Sequence, residues 1–276
     1  MHNLHTELIL FSPTGTTRTV LEAIAEGLEP ESISRLDLTR SAHAPSHAPE
    51  HAQSGSGIKT LALIGMPVHA GRVPTLAVER MRAIKGMGRP AVLVAVYGNR
   101  AFDDALLELR DLTRELGFVP VAGAAFIGQH SFSTPEFPVA EGRPDVTDRD
   151  RATAFGRLVR DKLDGISHEA ELRNLPELQV PGNFPYREGV QAAPISPETV
   201  SESCVLCGEC AQACPSAAIS LHADSVTTEN MLCLRCCACI RACPTGSRVM
   251  LHPRILELGR TLHAQYAQRR EPEFFL

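Results

Sequence analysis

The chain has 276 residues, of which 43% are hydrophobic and 21% charged, and its formal net charge is −5. This length predicts about two domains, with enough apolar residues for a buried core. The acidic balance and the lack of a basic tract argue against nucleic acid as a partner.

The N-terminal stretch MHNLHTELILF has no basic region followed by a long apolar segment, so it does not resemble a secretory leader. No run reaches the roughly 20 apolar residues that a membrane span needs. We therefore expect a cytoplasmic protein without a membrane span.

Strand-like and helix-like stretches alternate along the first 165 residues. ELILF, LALIG, AVLVAVYG and FVPVAGAAFIG are apolar runs of strand length. The stretches between and after them repeat apolar residues at helical spacing, on three stripes: Val20, Leu21, Ile24 and Leu28; Leu106, Leu109, Leu112 and Leu116; Phe155, Val159 and Leu163. Strands separated by helices predict an α/β domain with a doubly wound parallel sheet.

Ligands of such sheets bind at the carboxyl ends of the strands. The loop SPTGTT follows the first strand there and carries four hydroxyls, one glycine and no charge. Hydroxyls and backbone N–H groups at a helix N-terminus can hold a phosphate, and a helix start capped by threonine is the alternative interpretation. The segment 41–57 is rich in Pro, Ser, His and Ala; we expect a mobile loop whose histidines are solvated rather than metal-bound.

The SPTGTT loop resembles the Ser/Thr-rich phosphate loop of flavodoxins, and GMPVHAGRVP and VYGNRAFDDA occupy the places of their two flavin-flanking loops. The resemblance implies FMN bound by residues of these three loops: Ser12, Thr14, Gly15, Thr16, Thr17, Pro67, Val68, His69, Ala70, Gly71, Arg72, Tyr97, Gly98, Asn99, Arg100, Phe102 and Asp104. The chain has no Trp, so Tyr97 is the candidate to stack on one flavin face and His69 or Val68 on the other. A core aromatic and a surface-loop histidine are the alternatives.

Flavodoxins hold FMN among acidic residues, whereas this chain places arginines in both flavin-flanking loops. If Arg72 and Arg100 point at the flavin, they would stabilise negative charge on it or on an anionic substrate. GQHSFS follows the fifth strand at the same edge of the sheet, and His130 is a candidate proton donor because imidazole titrates near neutrality. These three residues are the weak candidates for a catalytic role.

Eight of the nine cysteines form two copies of one pattern at a fixed offset of 29 residues, CVLCGECAQACP and CLRCCACIRACP. The C-x2-C spacing in a reducing compartment favours metal ligands over disulfides. Zinc would also accept four thiolates, and it remains the alternative at this point. Cys237 falls outside the pattern, and we interpret it as a spare, buried thiol.

The pattern C-x2-C-x2-C-x3-C-P resembles the two-cluster bacterial ferredoxin, over about residues 197 to 251. In that family the fourth cysteine of each run ligates the other cluster. The resemblance implies two 4Fe-4S clusters with crossed ligand sets: Cys204, Cys207, Cys210 and Cys243 for one, and Cys233, Cys236, Cys239 and Cys214 for the other. It also implies one-electron transfer.

The chain as a whole resembles the flavodoxin-ferredoxin fusion proteins of anaerobes. We predict a five-stranded flavodoxin-like FMN domain in residues 1–165, a linker in 166–196, an α+β 2x4Fe-4S ferredoxin domain in 197–252 and a C-terminal helix in 253–276.

The expected function is electron transfer between the clusters and FMN; the alternative is an FMN-dependent reductase of a small substrate, fed through the clusters. The partner is then a redox protein or a small-molecule acceptor, and an oligomer is possible.

Overall fold

The computed structural model describes residues 4–40, 58–166, 169–172, 174–189 and 193–276. The histidine-rich segment 41–57 lies outside these residues. The N-terminal domain alternates strands and helices, with strands β1 (His5–Leu10), β2 (Ser32–Asp37), β3 (Thr60–Pro67), β4 (Pro90–Tyr97) and β5 (Val119–Ile127). Its helices are α1 (Thr16–Leu28), α2 (Thr75–Met81), α3 (Ala105–Glu115), α4 (Val146–Asp164) and the short α5 (Glu169–Leu172).

The five strands are parallel and lie in the order β2-β1-β3-β4-β5. This is the flavodoxin-like order of doubly wound folds, in which the chain reverses direction between β1 and β3. The predicted α/β class and parallel sheet are confirmed.

Helices cover both faces of the sheet. On one face, α1 and α4 pack through Ile24 and Phe155, and on the other, α2 and α3 pack through Met81 and Leu109. The three predicted apolar stripes are all buried. The switch point between β1 and β3 therefore opens at the carboxyl edge of the sheet, where the loops meet.

The C-terminal region is α+β and contains two small antiparallel sheets. Its strands are β6 (Glu198–Thr199), β7 (Ile219–Leu221), β8 (Val226–Thr228) and β9 (Arg248–Val249), with β6 paired to β9 and β7 to β8. Its helices are α6 (Glu209–Gln212), α7 (Ala238–Arg241) and α8 (Pro253–Tyr266).

The tail differs from the expected helix over 253–276. Helix α8 ends at Tyr266, and residues Glu273–Phe275 form β10, which pairs antiparallel with β5 and adds a sixth strand to the sheet. Pro272 cannot continue a helix, and the Phe274 ring packs on Phe155 with 4.8 Å between centroids. The tail therefore fastens the C-terminal region to the edge of the first domain.

Among the described residues, no helix is both long enough and apolar enough to cross a bilayer.

Candidate functional site

A cavity of about 980 Å³ lies at the carboxyl edge of the sheet, between the two domains. This volume is at the upper end of the usual range for small-molecule sites, about 300–1,000 Å³. Ten of the residues implied for FMN line it, with His130: Thr14, Thr16, Pro67, Val68, His69, Ala70, Gly71, Tyr97, Gly98 and Arg100. Seven others do not: Ser12, Gly15, Thr17, Arg72, Asn99, Phe102 and Asp104.

The loop after β1 has the features of an anion site. Gly15 precedes α1 with φ +85°, and no side chain caps the helix. A Cβ atom built on Gly15 would meet nothing within 4 Å, so the loop borders open space. The buried Thr17 Oγ1 has no hydrogen-bond partner among the described residues. A buried hydroxyl without a partner at an uncapped helix start fits the phosphate of FMN.

Arg72, in the loop after β3, is held away from the cavity. Its Nε and Nη2 donate to the Glu108 carboxylate at 2.8 and 2.7 Å, and Nη1 donates to the Arg187 carbonyl at 2.6 Å. Its guanidinium also lies 4.8 Å from the centre of the Tyr186 ring. The expectation that Arg72 faces the flavin ring is therefore not met, because a bidentate ion pair directs it to α3.

The Tyr97 ring, after β4, is also directed away from the cavity. Tyr97 is only 2% exposed, and its ring meets Phe102 edge-on at 5.5 Å between centroids, inside the core beneath α3. This matches the alternative of a core aromatic, so the structure does not present Tyr97 as a stacking face.

Asn99 and Asp104 hold other parts of the chain in place. The Asn99 amide donates to the carbonyls of Tyr266 and Gln268 at 2.6 and 2.8 Å. The Asp104 carboxylate accepts from the backbone N–H groups of Asn183 and Arg187 at 2.8 and 2.7 Å. The first fixes the C-terminal tail, and the second fixes the segment that joins the two domains.

Two histidines face the cavity without a charge. Burial, and then the Arg235 guanidinium, lower the pKa of His69 to about 4; burial, and then the neighbouring His69 and Arg100, lower the pKa of His130 to about 4. Nδ1 of His130 accepts from the Phe132 N–H at 3.0 Å, which leaves its proton on Nε2. At neutral pH His130 is thus a hydrogen-bond donor rather than the readily titrating acid we expected.

The far wall of the cavity comes from the C-terminal region. Leu234, Arg235 and Cys236, from the second cysteine run, line it together with Ile255 and Leu258 of α8. The guanidinium groups of Arg100, Arg187, Arg235 and Arg254 also border it. Asp103 pairs with both Arg100 and Arg187, so these two arginines share one carboxylate and keep a net positive charge.

The eight patterned cysteines divide between two further cavities. One is lined by Cys204, Cys207, Cys210 and Cys243, and the other by Cys214, Cys233, Cys236 and Cys239. These are the two crossed sets that the resemblance implies. No three His, Cys, Asp or Glu side chains of the described residues are arranged to hold a single metal ion. The ligands of a 4Fe-4S cluster surround a cage of iron and sulfide instead of one ion.

Backbone N–H groups donate to two of the sulfurs. Ala218 donates to Cys214 Sγ at 3.3 Å, and Arg235 donates to Cys233 Sγ at 3.4 Å. Such bonds favour a thiolate, the form in which cysteine binds iron. The ninth cysteine, Cys237, is 4% exposed, and burial raises its pKa well above the usual range.

Residues 197–220 match the family described as the 4Fe-4S binding domain. The chain carries a 4Fe-4S domain. Together with the strand order of the sheet, this makes it a flavodoxin-like domain fused to a 4Fe-4S domain, as the resemblance predicted. No curated protein sequence matches the chain.

Similar solved structures overlap the flavodoxin-like domain. A flavodoxin from the domain Archaea is 14% identical, with a TM-score of 0.40, and the match covers 58% of this chain and 99% of that one. The Streptococcus pneumoniae flavodoxin is 12% identical, with a TM-score of 0.39 and coverages of 57% and 99%. The rubredoxin oxygen:oxidoreductase of Desulfovibrio gigas is 13% identical, with a TM-score of 0.37; the match covers 59% of this chain and 36% of that protein.

The sequence gave little sign of the wall that the 4Fe-4S domain contributes. The helical period of Ile255, Leu258 and Leu262 in α8 was recognised, and all three line the cavity. Leu234 and Arg235 lie between cysteines and carried no signal of their own. Only their place in the run beside a ligand indicates that they surround a cluster.

Proposed function

We propose that this chain is an electron-transfer protein that passes electrons between two 4Fe-4S clusters and a bound FMN. One observation carries the proposal: Leu234, Arg235 and Cys236 of the second cysteine run line the same cavity as the flavodoxin-like loops. A cluster ligand and the flavin loops therefore share one enclosed space, with no intervening element. When bound, a 4Fe-4S cluster exchanges one electron and FMN one or two, which would join one-electron donors to two-electron chemistry.

In this proposal the loop after β1 holds the FMN phosphate. Thr14 and Thr16 line the cavity, and the buried Thr17 hydroxyl and the first-turn N–H groups of α1 supply donors. The loops after β3 and β4 border the ring through His69, Gly71, Gly98 and Arg100. Apolar contact to the ring would come from Ile255 and Leu258 rather than from an aromatic side chain.

The two sets of cysteines hold the clusters in the crossed arrangement, and Cys237 ligates neither. The first set lies nearer to solvent, because Cys207 is exposed and its neighbour Val205 is 64% exposed. Cys236 of the second set is buried against the cavity. We place the contact with an outside redox partner at the first cluster, and the contact with FMN at the second.

The partner is a redox protein or a small-molecule acceptor. We place the protein in the cytoplasm because eight unpaired thiols at ligand spacing suit a reducing compartment.

A second candidate function is a reductase of a small anionic substrate bound beside the flavin. Four arginines border the cavity, and two of them share a single carboxylate. An anion bound there would find both charge and the Nε2–H of His130 as a donor. A carrier needs no such site, so tighter binding of small anions to the FMN-loaded protein than to an Arg235→Leu variant would favour the reductase.

The first test is the composition and spectrum of anaerobically purified protein. We expect about eight irons and one FMN per chain, with the flavin bands bleaching as the broad cluster absorbance falls during stepwise reduction. Eight irons without flavin, and no uptake of added FMN, would contradict the proposed function.

A matched pair of variants tests the phosphate site. Thr17 and Thr6 both have buried hydroxyls without a partner among the described residues, but Thr6 lies at the opposite end of β1. A hydrogen bond to a charged group contributes about 1.5–3 kcal/mol, so Thr17→Val should weaken FMN binding by at least about tenfold. Thr6→Val should leave the dissociation constant unchanged. Equal effects of both variants would mean that the hydroxyl at Thr17 does not contact FMN.

A further inference from the structure

A single buried guanidinium lies between the two cysteine cavities. Arg248, in β9, is 2% exposed and lines both cavities. Its Nη1 donates to Thr199 Oγ1 at 2.6 Å, and its Nη2 donates to the Pro197 carbonyl at 2.9 Å and to Thr228 Oγ1 at 3.0 Å. All three partners are neutral, so no carboxylate among these contacts compensates the charge.

The repeat shows that the fold itself does not need a cation here. The offset of 29 residues that relates the two cysteine runs also relates Arg248 to Ile219, which is an apolar residue, 8% exposed. A buried charge carries a desolvation cost that an apolar side chain avoids. A cation kept at one of two equivalent positions therefore points to a use.

The charge reaches sulfurs of both sets. Arg248 Nη2 lies 3.9 Å from Cys239 Sγ, within hydrogen-bond distance for sulfur. Burial raises the pKa of the Cys210 and Cys239 thiols, and Arg248 opposes that rise at both. Its Nε is buried with no hydrogen-bond partner among the described residues. An acceptor in either cavity would satisfy that donor.

We propose that Arg248 is a cation shared by both cluster sites, which raises both reduction potentials and so brings them closer to that of the flavin. The inference rests on the proposed function, since it needs both clusters. Each cluster gains one electron and one negative charge on reduction, and a fixed positive charge beside it stabilises the reduced form. The guanidinium keeps its proton throughout, so the electron is the only particle transferred and the effect does not vary with pH.

The test is a potentiometric titration of both clusters, followed by electron paramagnetic resonance, in the wild type and in Arg248→Met. The variant removes the charge at similar volume. At a fixed potential, we expect the ratio of reduced to oxidised cluster to fall by about tenfold or more at both sites, which is about 59 mV for a one-electron couple. Arg248→Lys keeps a charge and should shift the ratio less. A variant with full iron and unchanged potentials, or a shift at only one cluster, would overturn the shared role.

Two further measurements keep the result decisive. If Arg248→Met loses its iron, Arg248→Gln replaces it, because the amide can still donate to the Pro197 carbonyl without the charge. Iron is quantified in the wild type first: fewer than about eight irons there would refute the two-cluster function itself. Full iron with no shift in the variants would refute only the role of Arg248.

Discussion

The two cysteine runs share a backbone and differ in what they face. Leu206 and Arg235 occupy equivalent positions with φ of 54° and 55°, and Gly208 and Cys237 with φ of 80° and 60°. Each run continues into a helix of four residues, α6 or α7. The spacing of the ligands therefore determines the local conformation almost independently of the residues between them.

The residues between the ligands determine the surroundings of each run. Val205 of the first run is 64% exposed, whereas its equivalent Leu234 lines the cavity at the sheet edge. Leu206 likewise has Arg235 as its equivalent, and only Arg235 borders that cavity. One motif thus supplies an outward-facing site and an inward-facing site, which is the division that a two-step electron path requires.

The largest expected effect comes from removing a ligand of the inward-facing run. In Cys236→Ala the second cluster loses a thiolate, so electrons from dithionite should no longer reach FMN through it. The rate of flavin bleaching in a stopped-flow experiment should fall by at least about tenfold, to the rate of the double variant Cys207→Ala/Cys236→Ala, which reports direct reduction.

Cys207→Ala is the matched control for the outward-facing run. Dithionite is small enough to reduce the second cluster directly, so this variant should keep a rate well above that of Cys236→Ala. FMN content is measured in all three variants to show that the flavin is retained. Equal rates in the two single variants would mean that the runs do not differ in their access to FMN.

Much of this arrangement could be predicted from local sequence. The grouping of Cys204 with Cys243 follows from a repeat with fixed spacing, and the sheet follows from apolar runs separated by helical stripes. The hydroxyl-rich loop after β1 was equally visible, because such a loop is one continuous segment.

The parts that could not be predicted depend on residues far apart in the chain. Arg72 is drawn to Glu108, 36 positions away, and Asn99 to the tail near Gln268. A cation and a carboxylate pair wherever packing brings them together, and no periodicity records that pairing. β10 is only three residues long, too short for alternation to indicate a strand.

A smaller effect is expected from Arg235, whose charge has no equivalent in the first run. Arg235 is the second cause, after burial, of the low pKa of His69. In Arg235→Leu, which copies Leu206, the pKa of His69 should rise from about 4 but stay below 6.5, because burial remains. NMR of ¹³C-labelled histidine between about pH 5 and 8 would detect the change.

This shift has a consequence for stability. His69 has a folded pKa of about 4, below its unfolded value of 6.5. The unfolded chain therefore binds more protons in that interval, and the folding stability contributed by neutral His69 is lost as the pH falls from about 6.5 to 4. Arg235→Leu should narrow this window, while Leu206→Arg should leave it unchanged. A wild-type His69 that already titrates near 6.5 would contradict both statements.

The smallest effect is expected where the two backbones coincide but the residues differ, at Gly208 and Cys237. A side chain in the left-handed region costs about 1–2 kcal/mol, so Gly208→Ala should speed the loss of cluster absorbance in a fixed denaturant concentration several-fold. Cys237→Gly relieves that strain but loses a buried side chain and adds chain entropy to the unfolded state, so these terms should nearly cancel, to within about 1 kcal/mol. Because Gly208 carries no ligand, Cys237→Gly should also retain the full iron content. A loss of iron in that variant would make Cys237 a ligand and would end the equivalence of the two runs.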